Sequence, residues 1–160
     1  TSRKVGNQYY AMVSPVMIDA KNPLYSVNGV FNAIFIHGNV LGDAMFYGSG
    51  AGKLPTASAV VADVVDCAKN KGRNIMMSWS EEKLDLLQID DVKSRFFVRV
   101  SGHAAERQSE IEELFGKVEI VAVPSLSEEF AFITGEITEQ EYREKAEKLD
   151  GIQSRIRARI

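Results

Sequence analysis

The sequence is poor in the residue types that mark specialised scaffolds. A single cysteine, Cys67, occurs in 160 residues, so neither an internal disulfide nor a multi-cysteine zinc site can form. His37 and His103 are the only histidines, and no metal is expected. No apolar run approaches the roughly 18 residues that span a bilayer. No charged segment followed by an apolar core opens the chain as a secretory signal does, and the expected location is the cytoplasm. Excess basic charge is missing too: 19 Lys and Arg stand against 22 Asp and Glu. Without a basic stripe interleaved with aromatics, nucleic-acid binding is not expected. What is present, 45% hydrophobic and 26% charged residues, describes a packed chain of one ordinary domain or two small ones.

Charge is scarcest in the first 70 residues. They hold five basic residues (Arg3, Lys4, Lys21, Lys53, Lys69) and four acidic ones (Asp19, Asp43, Asp63, Asp66), whereas residues 71–160 hold 14 and 18. A free-standing domain of that size has much surface for its volume and is expected to be richer in charge than average. The first half is therefore expected to bury surface against a second subunit or against another part of a parent protein. A dimer or tetramer is the expected state.

The hydrophobic patterning predicts an α+β chain. In the first half, Tyr9–Val13 and Val16–Ile18 read as strands, with Pro15 at an edge or bulge and a turn at Asn22-Pro23. Residues 31–37 and 40–47 form a hairpin closed by the two-residue turn Gly38-Asn39. A helix from about Pro55 to Lys69 then presents Ala57, Val60, Val61, Val64, Val65 and Ala68 on one face. Residues 71–93 read as a linker containing a short amphipathic piece, Ser80 to Gln88.

From Ser94 the alternation of Phe96, Val98 and Val100 predicts a strand, followed by a helix over about 104–116. Val118, Ile120 and Ala122 mark the next strand. A hairpin around 125–129 leads to Phe130, Phe132 and Thr134. Thr138-Glu139-Gln140-Glu141 is a capping box, with Ile137 placed to staple onto Tyr142. A last strand alternates Ile152, Ser154, Ile156, Ala158 and Ile160 against Arg155, Arg157 and Arg159, whose row is expected on the wet face. The order over residues 94–160 is βαββαβ, the ferredoxin-like plan.

Few residues point to chemistry by themselves. Gly48-Ser49-Gly50-Ala51-Gly52-Lys53 resembles a phosphate loop, but a Walker sequence needs four residues between its glycines and Ser or Thr after the lysine; here three intervene and Leu54 follows. The dinucleotide fingerprint fails as well, because Lys53 stands where its third glycine belongs. Two readings stay open: a tight strand-to-helix turn, or a backbone that approaches a ligand closely at a helix N-terminus. His37 reads as a surface or packing residue at a hairpin tip and His103 as a loop residue. Asp63 and Asp66 read as solvated or subunit-facing, and Cys67 as a small packed hydrophobe.

Three blocks of sequence resemble homoserine dehydrogenase: Asn22-Pro23-Leu24-Tyr25-Ser26-Val27-Asn28-Gly29-Val30-Phe31-Asn32-Ala33-Ile34, then Gly42 through Gly52, then Pro55-Thr56-Ala57-Ser58-Ala59-Val60-Val61-Ala62-Asp63. The likeness covers nearly all of residues 5–70. Residues 86–100 resemble the junction into the ACT domain that many bacterial members carry. The resemblance implies NAD(P)-dependent interconversion of L-homoserine and L-aspartate 4-semialdehyde, on the route to threonine, methionine and isoleucine. It assigns residues 1–70 to the end of the catalytic and dimerisation domain and 94–160 to an ACT regulatory domain.

The same resemblance implies a dinucleotide-binding Rossmann domain and catalytic residues elsewhere in the parent enzyme, with none of those catalytic positions matched in this chain. By itself the chain is then expected to be inactive and to bind NAD or NADP at most weakly. The residues carried over are Gly52, with Gly50, Ala51 and Thr56 beside it, at the nicotinamide end of the cofactor. An effector such as threonine would meet Ser101, Gly102, His103 and Ala104. That stretch lacks the acidic residue and Pro-Gly pair of amino-acid-binding ACT domains. Weak threonine binding, another ligand, and a pure assembly role all stay open, as does a non-enzymatic amino-acid-sensing module.

Overall fold

The computed structural model describes residues 1–73 and 76–160; residues 74 and 75, inside the expected linker, lie outside the described residues. Packing divides the chain into two units, residues 20–81 and residues 1–19 with 82–160. The contacts thus group residues 1–19 with the C-terminal residues, where the sequence reading grouped them with 20–70. The reason lies in β3 (Val16–Ile18), which pairs in parallel with the last strand. Charge content carries no information about which sheet a three-residue strand will join.

The larger unit opens with a hairpin of β1 (Ser2–Val5) and β2 (Gln8–Ala11). Its later elements are β6 (Lys93–Ser101), α2 (Ala104–Phe115), β7 (Glu119–Val121), β8 (Glu129–Ile133), β9 (Ile137–Thr138), α3 (Glu139–Ala146) and β10 (Ile152–Arg159). The main sheet runs in the order β3-β10-β6-β8-β7, with β9 on a separate stretch of β6. Apart from β3, every pairing in it is antiparallel. Phe96, Val98 and Val100 point to one face of β6 and are fully buried with Ile111 and Phe115 of α2, Phe132 of β8 and Tyr142 of α3. Phe96 meets Tyr142 at 4.6 Å between ring centroids, and Phe115 meets Phe132 at 5.2 Å. Offset aromatic pairs of this kind hold two layers in one register.

The start of α3 follows the expected capping box. Glu141 N–H donates to Thr138 Oγ1 at 3.1 Å, and Thr138 N–H donates to Glu141 Oε2 at 2.7 Å. That backbone donor holds the Glu141 carboxyl below its ordinary range.

The arginine row of β10 departs from expectation. The β10–β6 register shifts between Ile152 and Ser154, and a one-residue shift moves every following side chain to the opposite face. Arg155 and Arg157 therefore lie opposite Val98 and Phe96, on the helix-covered face. Both pair with Glu139, which is buried, and the Arg155 guanidinium sits 4.6 Å from the Tyr142 centroid and 5.3 Å from that of Phe96. Arg157 is half-buried, whereas Arg155, although paired, and Arg159 remain exposed.

The expected piece over 80–88 is not helical among the described residues. Tyr9 N–H donates to Asp85 O at 2.9 Å and Leu87 N–H to Tyr9 O at 2.8 Å, so this segment pairs with β2. A helix of two turns is marginal in water, and an open strand edge outcompetes it. A short 3-10 turn, Ile89–Asp91, leads into β6.

The smaller unit contains β4 (Asn32–Gly38), β5 (Gly42–Gly48) and α1 (Lys53–Lys69). The two strands form the expected antiparallel hairpin, but its loop is residues 39–41 rather than Gly38-Asn39. Ile34 and Phe46 face each other across it and are each 65% exposed. No residue of α1 is buried, and Val60, Val61, Val64 and Val65 stand open on its apolar stripe. Cys67 is accordingly exposed rather than packed.

Candidate functional site

β5 delivers the chain into a glycine-rich loop that α1 terminates. Gly52 caps α1 at φ 120°, ψ 160°, a backbone region that L side chains rarely enter. Its carbonyl accepts from Thr56 N–H at 3.1 Å, closing the first turn. Gly50 is glycine for a different reason: a Cβ there would lie 3.2 Å from Nδ2 of Asn32. The loop thus places Gly50, Ala51, Gly52 and Thr56 within one short stretch, and its path favours glycine at position 52.

Beside it opens a cleft of about 280 Å³ lined by Asn32, Ala33, Ile34, Phe46, Tyr47, Gly48, Ser49 and Gly50. Tyr47 stacks on Phe31 at 4.9 Å, with the rings 15° from parallel. No carboxylate, histidine or lysine lines this cleft. Its walls are largely apolar, with Tyr47 and Ser49 the residues that bring hydroxyls to it. Patterning did not single out Asn32, although a carboxamide at the head of an otherwise apolar strand is a readable signal.

The second candidate loop joins β6 to α2. Ser101 closes the strand, Gly102 makes the turn, His103 caps α2 without a side-chain hydrogen bond, and Ala104 begins the helix. Gly102 N–H donates to Glu128 O at 2.8 Å and Ser101 N–H to Gly151 O at 3.0 Å. Arg107, from the first turn of α2, lies across this loop. Its guanidinium donates to Ser101 O and to Asp150 O, each at 2.9 Å, and to Glu110 Oε2 at 3.1 Å. Two carbonyl oxygens around this loop, those of Ser101 and Asp150, are thus engaged by the protein's own cation.

The other polar candidates lie apart. His37 Nδ1 is 2.5 Å from Asp43 Oδ1 at the hairpin tip, where both are largely exposed. Asp66 is engaged with Asn70 beyond the helix end, and Asp63 is exposed. Among the described residues, no three His, Cys, Asp or Glu converge as a metal site requires, and no helix is long and apolar enough to cross a membrane.

Comparison with known proteins gives a consistent likeness. The sequence profile of homoserine dehydrogenase matches residues 1–65. The homoserine dehydrogenase of Lactococcus lactis is 40% identical over 100 residues, which are 61% of this chain and 23% of that protein. The enzyme of Corynebacterium glutamicum is 48% identical over 71 residues, 44% of this chain and 16% of that protein. The chain therefore matches a part, well under a third, of these dehydrogenases. A crystal structure of a homoserine dehydrogenase from Thiobacillus denitrificans superposes on 99% of the chain with a TM-score of 0.76 and 24% identity, covering 41% of that structure. This last likeness is one of fold, and it extends across both units.

Proposed function

We propose that the chain is the C-terminal portion of a homoserine dehydrogenase, the NAD(P)-dependent oxidoreductase that interconverts L-homoserine and L-aspartate 4-semialdehyde, and that it works in the cytoplasm. The observation that carries this reading is the glycine loop. The family match runs through it, its backbone at Gly52 favours glycine, and a Cβ at Gly50 would press on the Asn32 side chain. A dinucleotide cofactor fits this cradle: Gly50, Ala51 and Gly52 let backbone come close, and the first turn of α1 leaves the N–H groups of Lys53 and Leu54 for polar atoms of the ligand. NAD or NADP, when bound, supplies the hydride acceptor or donor. The residues of this chain hold and orient the nicotinamide end and exclude water from it, while proton transfer belongs to residues outside this chain.

The bare apolar faces of β4, β5 and α1 support a second role. Faces that expose Ile34, Phe46 and four valines are expected to be covered by the rest of the dehydrogenase and by a second copy, in keeping with a dimeric or tetrameric enzyme. The βαββαβ unit is read as an ACT domain, since its strand order β10-β6-β8-β7 is that of the ferredoxin-like plan. Because Arg107 occupies the Ser101–Ala104 loop, assembly is favoured over amino-acid sensing as its task.

The test joins this chain to the dinucleotide-binding and catalytic portion of the Lactococcus lactis enzyme. The joined polypeptide is expected to oxidise homoserine with NAD or NADP, and the chain alone to show no rate above background. Oxidation by the chain alone, or none by a folded joined polypeptide, would overturn the reading.

A further inference from the structure

The larger unit holds a cavity of about 370 Å³ between the β1–β2 hairpin and the start of β6, and the dehydrogenase reading gives it no task. Its floor is apolar. Tyr10 and Val92 lie there at 3% and 4% exposure, beside Val5 and Leu87. Four charged side chains complete the lining, Arg3 and Lys93 against Asp91 and Glu136. Among the described residues none of these four is in an ion pair, with one another or with any other group. Arg3 lies instead over the Tyr10 ring, its guanidinium 5.7 Å from the centroid. The cavity is separate from the Ser101–Ala104 loop. β6 is nine residues long, so at about 3.3 Å per residue Lys93 at its start stands roughly 26 Å from Ser101 at its end.

We propose that this cavity binds a free α-amino acid with an apolar side chain, its carboxylate toward Arg3 and Lys93 and its ammonium toward Asp91 and Glu136. The charge count selects the class. Two cations and two anions leave the lining neutral, so a phosphate, a nucleotide or a metal ion would bring a net charge that the wall does not balance. A zwitterion gives both signs a partner at once, through charge-assisted hydrogen bonds. A single exposed charge calls for no partner; four around one cavity, two of each sign, make an arrangement that a dipolar ligand completes. The size agrees, since the volume lies at the small end of ligand sites, roughly 300–1,000 Å³. The buried floor then takes the ligand's apolar body out of water. The inference does not rest on the dehydrogenase reading.

The test is isothermal calorimetry on this chain with L-leucine and two analogues. Isocaproate keeps the carboxylate and the apolar body without the amine, and isoamylamine keeps the amine without the carboxylate. Leucine is expected to give saturable heat, and each analogue to bind at least about tenfold more weakly, the scale of one lost hydrogen bond to a charged group. Lys93→Gln is expected to weaken leucine binding by about tenfold and to spare isoamylamine; Glu136→Gln is expected to weaken leucine by a similar factor and to spare isocaproate. Both side chains are exposed, so the variants keep the fold. No saturable heat with leucine, equal binding of the three compounds, or leucine binding unchanged in both variants would each overturn the inference, and none of these results bears on the dehydrogenase reading.

Discussion

Glu139→Ala is expected to lower the stability of the larger unit by about 3 kcal/mol, the low end of the cost of leaving buried charge without its partner. The side chain of Glu139 is 5% exposed, and both its oxygens are engaged by Arg155 and Arg157. Arg157 is itself largely buried, whereas Arg155 is 37% exposed on its side chain and can turn partly to water, which is why the upper end of the range is not expected. The loss also reaches the core, because the same guanidinium covers Phe96 and Tyr142. Denaturant unfolding followed by circular dichroism reads it directly. A change within about 0.5 kcal/mol, the ordinary range for surface substitutions, would show that the triad is only a surface feature.

Gly151→Ala is expected to cost about 2–4 kcal/mol, from left-handed strain and overpacking together. Gly151 has φ 77°, and a Cβ there would lie 2.3 Å from Ser101 Oγ and 3.2 Å from Arg107 Nη1. Ser101 Oγ can relieve the contact only by rotating about its Cα–Cβ bond, giving up its hydrogen bond to Gly151 O, while the backbone around it stays tied by Ser101 N–H to Gly151 O. In a Ser101→Ala background the same substitution is expected to cost only about 1–2 kcal/mol, the backbone term alone. Equal costs in the two backgrounds, measured as a double-mutant cycle, would show that the steric contact plays no part.

How far the sequence announces this structure depends on whether a signal is local. The capping box at Thr138 and Glu141 is legible because all its partners lie within four residues. The strands of β6 and β8 are legible because one face meets a packed layer. Perfect alternation puts Arg155 and Arg157 on the wet face, but a bulge that reverses it is set by pairing with β6 across more than 50 residues. Residues 80–88 have helical periodicity, yet the decisive partner is Tyr9, far away in sequence.

The site shows the same division. Gly50, Ala51 and Gly52 stand out as a glycine run, but the tight space at position 50 comes from Asn32, across the hairpin. At the other loop the residues Ser101 to Ala104 are recognisable, while their occupation by Arg107 depends on Asp150 and the turn before β10. Cys67 was expected to pack because it sits on an amphipathic helix; the pattern shows that a face is apolar without showing what covers it.

On the proposed reading, α1 and the β4–β5 hairpin become interior parts of a larger dehydrogenase. Amide hydrogen exchange on α1 tests it most directly, measured in this chain alone and in the chain joined to the rest of the enzyme. Since no residue of α1 is buried here, its amides are expected to exchange rapidly in the chain alone and at least about a hundredfold more slowly once joined, as local opening becomes tied to the packed core. Equal exchange in the two states would contradict the account.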